Sequence, residues 1–301
     1  MKKLLFSLII SCLVIVAKGQ GTFPPAHSGS NPSINPGALT SIDLNGQFIF
    51  LGEEEEFYRM QKSSPYGVST IATTPNNICT GDFNDNGILY YLSNWQSNSP
   101  LYSIDLSTGT NTFIANLHGA DIGSFGAACA LSYYSGKMYA IFSMDPWDLS
   151  AAAVFEINLN TGLCTRISTS TFPGFYTTLA IDKDGVFYGI DAGEYQNGNL
   201  YIINPVAGTR TLVGSTGLDT WTYCDGDFDA QSNVLYISMW GEGTGTISTA
   251  NATPSFFSSF QASFCAVGST STGAVVPINY LWIILAFSLI IGTVLIKRFI
   301  I

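Results

Sequence analysis

One phrase recurs along this chain and constrains its fold more than any single residue does. Leu101-Tyr-Ser-Ile-Asp-Leu-Ser-Thr-Gly109 returns as Val154-Phe-Glu-Ile-Asn-Leu-Asn-Thr-Gly162 and again as Leu200-Tyr-Ile-Ile-Asn-Pro-Val-Ala-Gly208. Each copy reads as a short alternating strand, a turn ending in Gly, and a second, Thr-rich strand. The anchor aromatics Tyr58, Tyr102, Phe155 and Tyr201, followed by a degenerate copy near Ile247, recur at spacings of roughly 44 to 53 residues, the length of one four-stranded propeller blade.

A second phrase lies upstream of each copy. It runs Ser41-Ile-Asp-Leu-Asn-Gly-Gln-Phe-Ile49, Gly81-Asp-Phe-Asn-Asp-Asn-Gly-Ile-Leu-Tyr90, Leu131-Ser-Tyr-Tyr-Ser-Gly-Lys-Met-Tyr139, Ala180-Ile-Asp-Lys-Asp-Gly-Val-Phe-Tyr188 and Gly226-Asp-Phe-Asp-Ala-Gln-Ser-Asn-Val-Leu-Tyr236. Asn45-Gly46, Asn86-Gly87, Ser135-Gly136 and Asp184-Gly185 are dipeptides that tolerate the positive φ of a two-residue hairpin. Each unit therefore reads as strand a, hairpin, strand b, loop, strand c, turn, strand d. With no 3.6-residue apolar period between the units, almost no helix is expected there. The chain resembles the bacterial repeat β-propellers that carry a Leu-Tyr-x-Ile-Asp-x-x-Thr-Gly blade phrase. That resemblance implies an all-β propeller over residues 37–270 and leaves function open, because propellers host enzymes, binders and scaffolds. A β-sandwich with coincidental hairpins is the rival fold. Five blades are expected, with a sixth left open. Ser263-Phe-Cys-Ala-Val267 reads as one more strand a that pairs with the first blade and closes the ring.

Both ends read as membrane addresses. Lys2-Lys3 before the apolar run Leu4 to Ala17, with Ala17-Lys18-Gly19 ahead of Gln20, predicts a signal peptide over 1–19. Ile9-Ile-Ser-Cys12 resembles a lipobox, but the apolar run continues past it. Residues 20–36, rich in Gly, Pro, Ser and Asn, read as a flexible spacer. Residues 271–279 form a linker, the uncharged stretch 280–296 is long enough to span a bilayer, and 297–301 hold the basic end Lys297-Arg298. Val276-Pro277 followed by Trp282 resembles the C-terminal sorting signals of the PEP-CTERM and IPTL type. The resemblance implies a sorting enzyme acting near Pro277, although Ile278-Asn-Tyr-Leu281 departs from the IPTL pattern. Plain type I anchoring is the alternative.

Net charge is −10, from 11 basic and 21 acidic residues. A chain so poor in basic charge argues against a nucleic-acid partner. Of six cysteines, Cys12 lies in the leader, leaving Cys79, Cys129, Cys164, Cys224 and Cys265, an odd number that cannot all pair. Four of these occupy one repeat position near the start of strand a. Small buried hydrophobes at a crowded axis is the plain reading. No His or Cys-x-x-Cys accompanies them, so no metal and no cofactor is expected.

In this strand order the b–c and d–a loops share one face. The b–c loops hold Glu53 to Glu56, Trp95, Asp145 with Trp147 and Asp148, Asp191 with Glu194 and Tyr195, and Trp240 with Glu242. The d–a loops add His118 and Asp121, Phe175 and Tyr176, and Asp219 with Trp221. Four of five tryptophans thus fall in loops of one face. Trp stacks on sugar rings or anchors a protein contact, and carboxylates accept hydroxyl hydrogen bonds. The expected ligand-binding set is Trp147, Trp221, Trp95, Trp240, Tyr176, Asp145, Asp148, Asp191, Glu194, Asp219 and Glu242. The competing reading has these residues capping blade ends.

No catalytic residue is predicted. The acids sit in separate loops without a local glycosidase pattern, and there is no Gly-x-Ser-x-Gly elbow or phosphate-cradling Gly loop. Asp82-Phe-Asn84-Asp85 has calcium-loop spacing but reads as turn chemistry, as do Asp182-Lys-Asp184 and Asp227-Phe-Asp229. The sequence reading is an exported, anchored, non-catalytic recognition module for a glycan or envelope protein. An extracytoplasmic enzyme acting on polysaccharide and a structural scaffold of an envelope complex are the alternatives.

Overall fold

A computed structural model describes residues 47–268, except 54, 75–76, 95–97, 107–109, 126, 146–147, 193–197 and 219–223; at 124, 127–129, 144–145 and 148–150 it describes the backbone alone. The described residues form five four-stranded antiparallel sheets, a β-propeller. Blade 1 contains β1 (Phe48–Glu53), β2 (Glu56–Gln61) and β3 (Val68–Thr73). Blade 2 is β4 (Thr80–Phe83), β5 (Leu89–Leu92), β6 (Pro100–Asp105) and β7 (Thr110–Asn116). Blade 3 is β8 (Ala127–Tyr134), β9 (Lys137–Asp145), β10 (Asp148–Ile157) and β11 (Cys164–Arg166). Blade 4 is β12 (Tyr176–Ile181), β13 (Phe187–Asp191), β14 (Asn199–Asn204) and β15 (Thr209–Ser215). Blade 5 is β16 (Cys224–Asp229), β17 (Val234–Met239), β18 (Gly243–Ile247) and β19 (Pro254–Ser258), and β20 (Phe264–Ala266) follows it.

The ring closes as the sequence implies. β20 takes the inner place of blade 1, antiparallel to β1, with Phe50 opposite Ala266, Leu51 opposite Cys265 and Gly52 opposite Phe264. Residues 41–44, read above as the first strand a, lie outside the described residues, and the place expected for them beside β1 is filled by β20. The inner strands touch in the ring order β4, β8, β12, β16, β20 and back to β4.

The hairpins follow their turn chemistry. Gly87, Gly136 and Gly185 have φ of 74, 84 and 79°, and Ser135 has 51°, the left-handed region that tight hairpins require. In each of blades 2, 4 and 5 an Asx residue ties the turn. Asn84 Oδ1 accepts the N–H groups of Asn86 and Ile88, Asp182 Oδ1 those of Asp184 and Val186, and Asp229 Oδ1 that of Gln231. Outer strands carry a register shift beside the anchor aromatic in blades 1, 2 and 4, at Phe57/Tyr58, Leu101/Tyr102 and Leu200/Tyr201. Such bulges twist an exposed edge away from pairing with another chain. Helix among the described residues amounts to one 3-10 turn, Ile122–Ser124.

Apolar side chains alternate along the strands and pack between blades. Each junction has its own cluster, for example Leu92, Phe125, Phe142 and Phe155 between blades 2 and 3, and Phe172, Tyr176, Leu179 and Phe187 between blades 3 and 4. Among the described residues, the junction of blades 5 and 1 is the leanest. Its fully buried members are five, Ile49, Leu51, Met60, Ala262 and Cys265, against ten or more at each other junction. Half-buried aromatics complete it: Tyr66 stacks on Phe257 at 4.7 Å, and Tyr58 meets Phe260 edge-on at 5.0 Å.

Candidate functional site

The antiparallel meander turns from b to c and from d to a on one face, the side to which the sequence reading assigns its recognition residues. Trp95, Trp147, Glu194, Asp219 and Trp221 lie outside the described residues. Asp145 and Asp148 end β9 and begin β10, opposite each other in register; they are strand residues and not loop residues. Trp240 and Glu242 occupy the β17–β18 turn, the tryptophan half-buried and the glutamate exposed.

Tyr176 and Asp191 behave differently from the expectation. Both belong to strands and both are buried, Tyr176 completely. They pair in register across β12 and β13, and Arg210 of β15 joins them. Its guanidinium donates to Tyr176 Oη at 2.9 Å and to Asp191 Oδ2 at 3.2 Å, and it lies 4.1 Å from the Tyr201 ring centroid. Tyr176 Oη also donates to the Pro173 carbonyl at 3.2 Å, and Asp191 Oδ1 accepts the Asn199 N–H at 2.8 Å. Burial pushes the Asp191 carboxyl up, offset in part by the Asn199 N–H and by Arg210. The polar groups of this cluster satisfy one another and tie blade 4 from its inner to its outer strand, so the geometry assigns Tyr176 and Asp191 to the framework. A lone arginine in a Thr-rich outer strand was the available signal.

The other concentration of charge lies at the axis. Asp82 on β4 is buried and accepts the N–H groups of Phe83 and Tyr133, both at 2.6 Å. Asp225 on β16 accepts from Gly226 at 2.9 Å and from Cys265 at 3.4 Å, and Asp227 from Phe228 at 2.7 Å and Val267 at 2.8 Å. Each carboxylate thus bonds its own strand and a neighbouring inner strand. Thr80, two residues before Asp82 on the same strand, accepts the Leu131 N–H of the neighbouring inner strand at 3.0 Å through its hydroxyl.

Burial raises the carboxyl groups of Asp82 and Asp225 well above the ordinary aspartate range, and it raises Asp227 to about 6. Beside them, burial pushes the thiols of Cys79 and Cys224 up to about 12 and raises Cys265, which leaves them as neutral, weakly nucleophilic groups. Cys79, Cys164, Cys224 and Cys265 are free thiols. Among the described residues no group of three or more His, Cys, Asp or Glu side chains is placed to hold a metal ion. On the opposite face, an open depression of about 480 Å³ on blade 5 is lined by neutral polar groups such as Asn233, Ser248 and Asn251.

No protein-family model matches the chain, and no functionally described protein matches it in sequence. Solved structures similar to it include the nidogen/laminin complex, at 15% identity over 67% of this chain and 74% of that chain with a TM-score of 0.45. A gluconolactonase from Xanthomonas campestris matches at 12% identity over 73% and 79%, TM-score 0.46. The PQQ-bound aldose sugar dehydrogenase of Streptomyces coelicolor matches at 13% over 67% and 88%, TM-score 0.44. At such identities the likeness concerns fold alone, and the named activities are those of the neighbours.

Proposed function

We propose that this chain is an exported β-propeller, anchored in a membrane or at the cell surface, that recognises a glycan or protein partner without catalysis. Recognition uses the face of b–c and d–a loops that carries the tryptophans. One observation carries this reading. The described acids nearest the axis, Asp82, Asp225 and Asp227, are buried and bound to backbone N–H groups, and Asp191 is held by Arg210 and Asn199. General acid–base chemistry needs carboxyls that reach a substrate. What the described part of the face offers a partner is Trp240, half-buried, with exposed Glu242 beside it, a pairing suited to stacking and hydrogen bonding. The leader at 1–19 and the apolar stretch 280–296, both outside the described residues, support the extracytoplasmic placement. The nearer alternative is turnover of polysaccharide. It is tested by incubating the full-length protein with a polysaccharide panel and following reducing ends with time. The recognition reading expects retention of polymer or partner without release of product. Release that disappears when one carboxylate is replaced, as in Asp148→Asn or Glu242→Gln, overturns it.

A further inference from the structure

The chain leaves the propeller from a strand that is tied down to its end. β20 is the inner strand of blade 1. The Cys265 N–H donates to Asp225 Oδ2 at 3.4 Å, and the N–H of buried Val267 donates to Asp227 Oδ2 at 2.8 Å. Register fixes the direction of exit. Phe264 stands opposite Gly52 and Ala266 opposite Phe50, so β20 runs away from the β1–β2 turn, toward the end of β1 where Phe48 pairs with Gln61. The exit is therefore close to the axis and on the side of the a–b and c–d turns. The entry lies on that side too, because the Gln47 carbonyl accepts the Lys62 N–H at 3.0 Å. Both flanking segments join the face opposite the predicted recognition loops.

The length of the C-terminal connection limits which face can meet a bilayer spanned by residues 280–296. Twelve residues separate Gly268 from Tyr280. Drawn straight they reach about 40 Å, and as a flexible chain about 20 Å. Four strands spaced by about 4.8 Å make a blade about 15 Å deep, and six-residue strands make it about 20 Å tall. A route from the exit out to the rim and up to the recognition face is thus at least about 35 Å, nearly the whole connection at full stretch. The a–b face needs no such detour.

Charge divides the two faces in the same sense. The three described lysines lie at a–b or c–d turns, each in an ion pair: Lys62 with Asp229 at 3.0 Å, Lys137 with Glu156 at 2.7 Å and Lys183 with Asp184 at 2.7 Å. The b–c turns hold or adjoin Glu53, Glu55, Glu56, Asp145, Asp148 and Glu242, and no b–c or d–a loop contains a lysine or arginine. An anionic headgroup layer repels the acidic face within a screening length of about 8–10 Å and is indifferent to the paired one.

We propose that, given the anchoring proposed above, the propeller stands with its a–b and c–d turns toward the bilayer and presents its b–c and d–a loops outward. The surface next to the membrane is the one built from paired charges and Asx-tied hairpins. The recognition loops meet a ligand that arrives from beyond the membrane, and the headgroups of the protein's own bilayer are out of their reach.

Energy transfer to the headgroups tests this orientation. Full-length protein is reconstituted into vesicles of phosphatidylethanolamine and phosphatidylglycerol that carry an acceptor dye on their headgroups. A fluorescent amino acid replaces either Gln231, in the a–b turn of blade 5, or Glu242, in its b–c turn; both are exposed, at opposite ends of β17. Transfer reads distance from the bilayer whichever way the protein is inserted. The expected probe-to-headgroup distance is shorter at Gln231 than at Glu242 by about 20 Å, the length of the strand between them. Equal distances, or a shorter one at Glu242, in protein that floats with the vesicles overturn the orientation and leave the anchoring standing. Failure to float overturns the anchoring and the orientation with it. Should a probe at either position prevent folding, Asn86 and Asp121, exposed in the a–b turn of blade 2 and in the d–a connection that follows it, give the same comparison.

Discussion

Lys62 Nζ lies 3.0 Å from Asp229 Oδ2, and the two residues belong to the blades that the chain builds first and last. Lys62 leaves blade 1 after β2, crosses the Tyr236 ring at 5.0 Å and meets Asp229 at the end of β16. Both side chains are largely buried, at 11% and 8% exposure. Asp229 also accepts the Ser232 hydroxyl at 2.6 Å. A propeller closed by a three-residue strand gains from any bond that holds its two ends together, and this ion pair is one.

Lys62→Ala removes the partner of a buried carboxylate and is expected to destabilise the propeller by about 3 kcal/mol, the scale of breaking a buried pair. Guanidinium unfolding curves at neutral pH measure this. A loss below about 1 kcal/mol, the scale of an exposed pair, contradicts the role assigned to it.

Stability is expected to peak on the acid side of neutrality. For Asp229, burial pushes the carboxyl up, but the Ser232 hydroxyl and Lys62 outweigh it and leave it below the ordinary 3.8. Its contribution is present above 3.8 and disappears as pH falls through the lower folded value. Asp227 is raised to about 6, so its contribution is complete below 3.8 and is lost as pH rises through about 6. Asp82 and Asp225, also raised by burial, act in the same direction as Asp227. Denaturant midpoints taken from pH 3 to pH 9 should therefore be highest near pH 4 and fall on both sides. A maximum at or above pH 8 contradicts this assignment.

Gly226→Ala is expected to cost about 1–3 kcal/mol, the scale of an overpacked core. A Cβ at Gly226 would sit 2.6 Å from the Tyr236 carbonyl oxygen and 2.9 Å from Ile237 Cγ2. The same substitution at Gly217 or Gly123, where a Cβ meets nothing within 4 Å, separates crowding from loss of glycine; Gly123 is the cleaner control because Gly217 has a φ of 68°. Thermal melts of Gly226→Ala and Gly123→Ala side by side give the comparison, and equal melting temperatures would contradict the crowding at the inner strand.

Tyr176→Phe removes an oxygen that donates to Pro173 and accepts from Arg210. The expected loss is about 1–2 kcal/mol of stability, with binding of any partner unchanged because the ring is fully buried. A variant that keeps its stability and loses a partner returns Tyr176 to the recognition set.

Much of the architecture was legible because a repeat states its fold several times. The Leu-Tyr-x-Ile-Asp phrase placed strands c and d, the Asn-Gly and Asp-Gly pairs placed the hairpins, and Ser263–Val267 was recognisable as a returning inner strand. The axis was harder. Asp82 and Asp227 were read with the turn residues that follow them, whereas the turns are tied by Asn84 and Asp229, two residues further on. Thr80 and Asp82 flank Gly81, and Asp225 and Asp227 flank Gly226, a polar–Gly–polar pattern that marks a crowded inner strand with polar groups aimed at its neighbours. Tyr176 and Asp191 were misplaced for the opposite reason. A loop assignment from sequence ends a strand early, and one residue of boundary error moves a side chain from the surface into the core.

The tryptophan face is the central claim, and binding by the full-length protein beside the double variant Trp147→Ala/Trp221→Ala tests it most directly. Both proteins are applied to a glycan array and to polysaccharide and envelope-protein pull-downs, with thermal melts recorded in parallel. The account predicts that wild type retains a ligand and that the double variant loses it by tenfold or more at an unchanged melting temperature, as for paired aromatic anchors. A ligand held equally well by both proteins would contradict it.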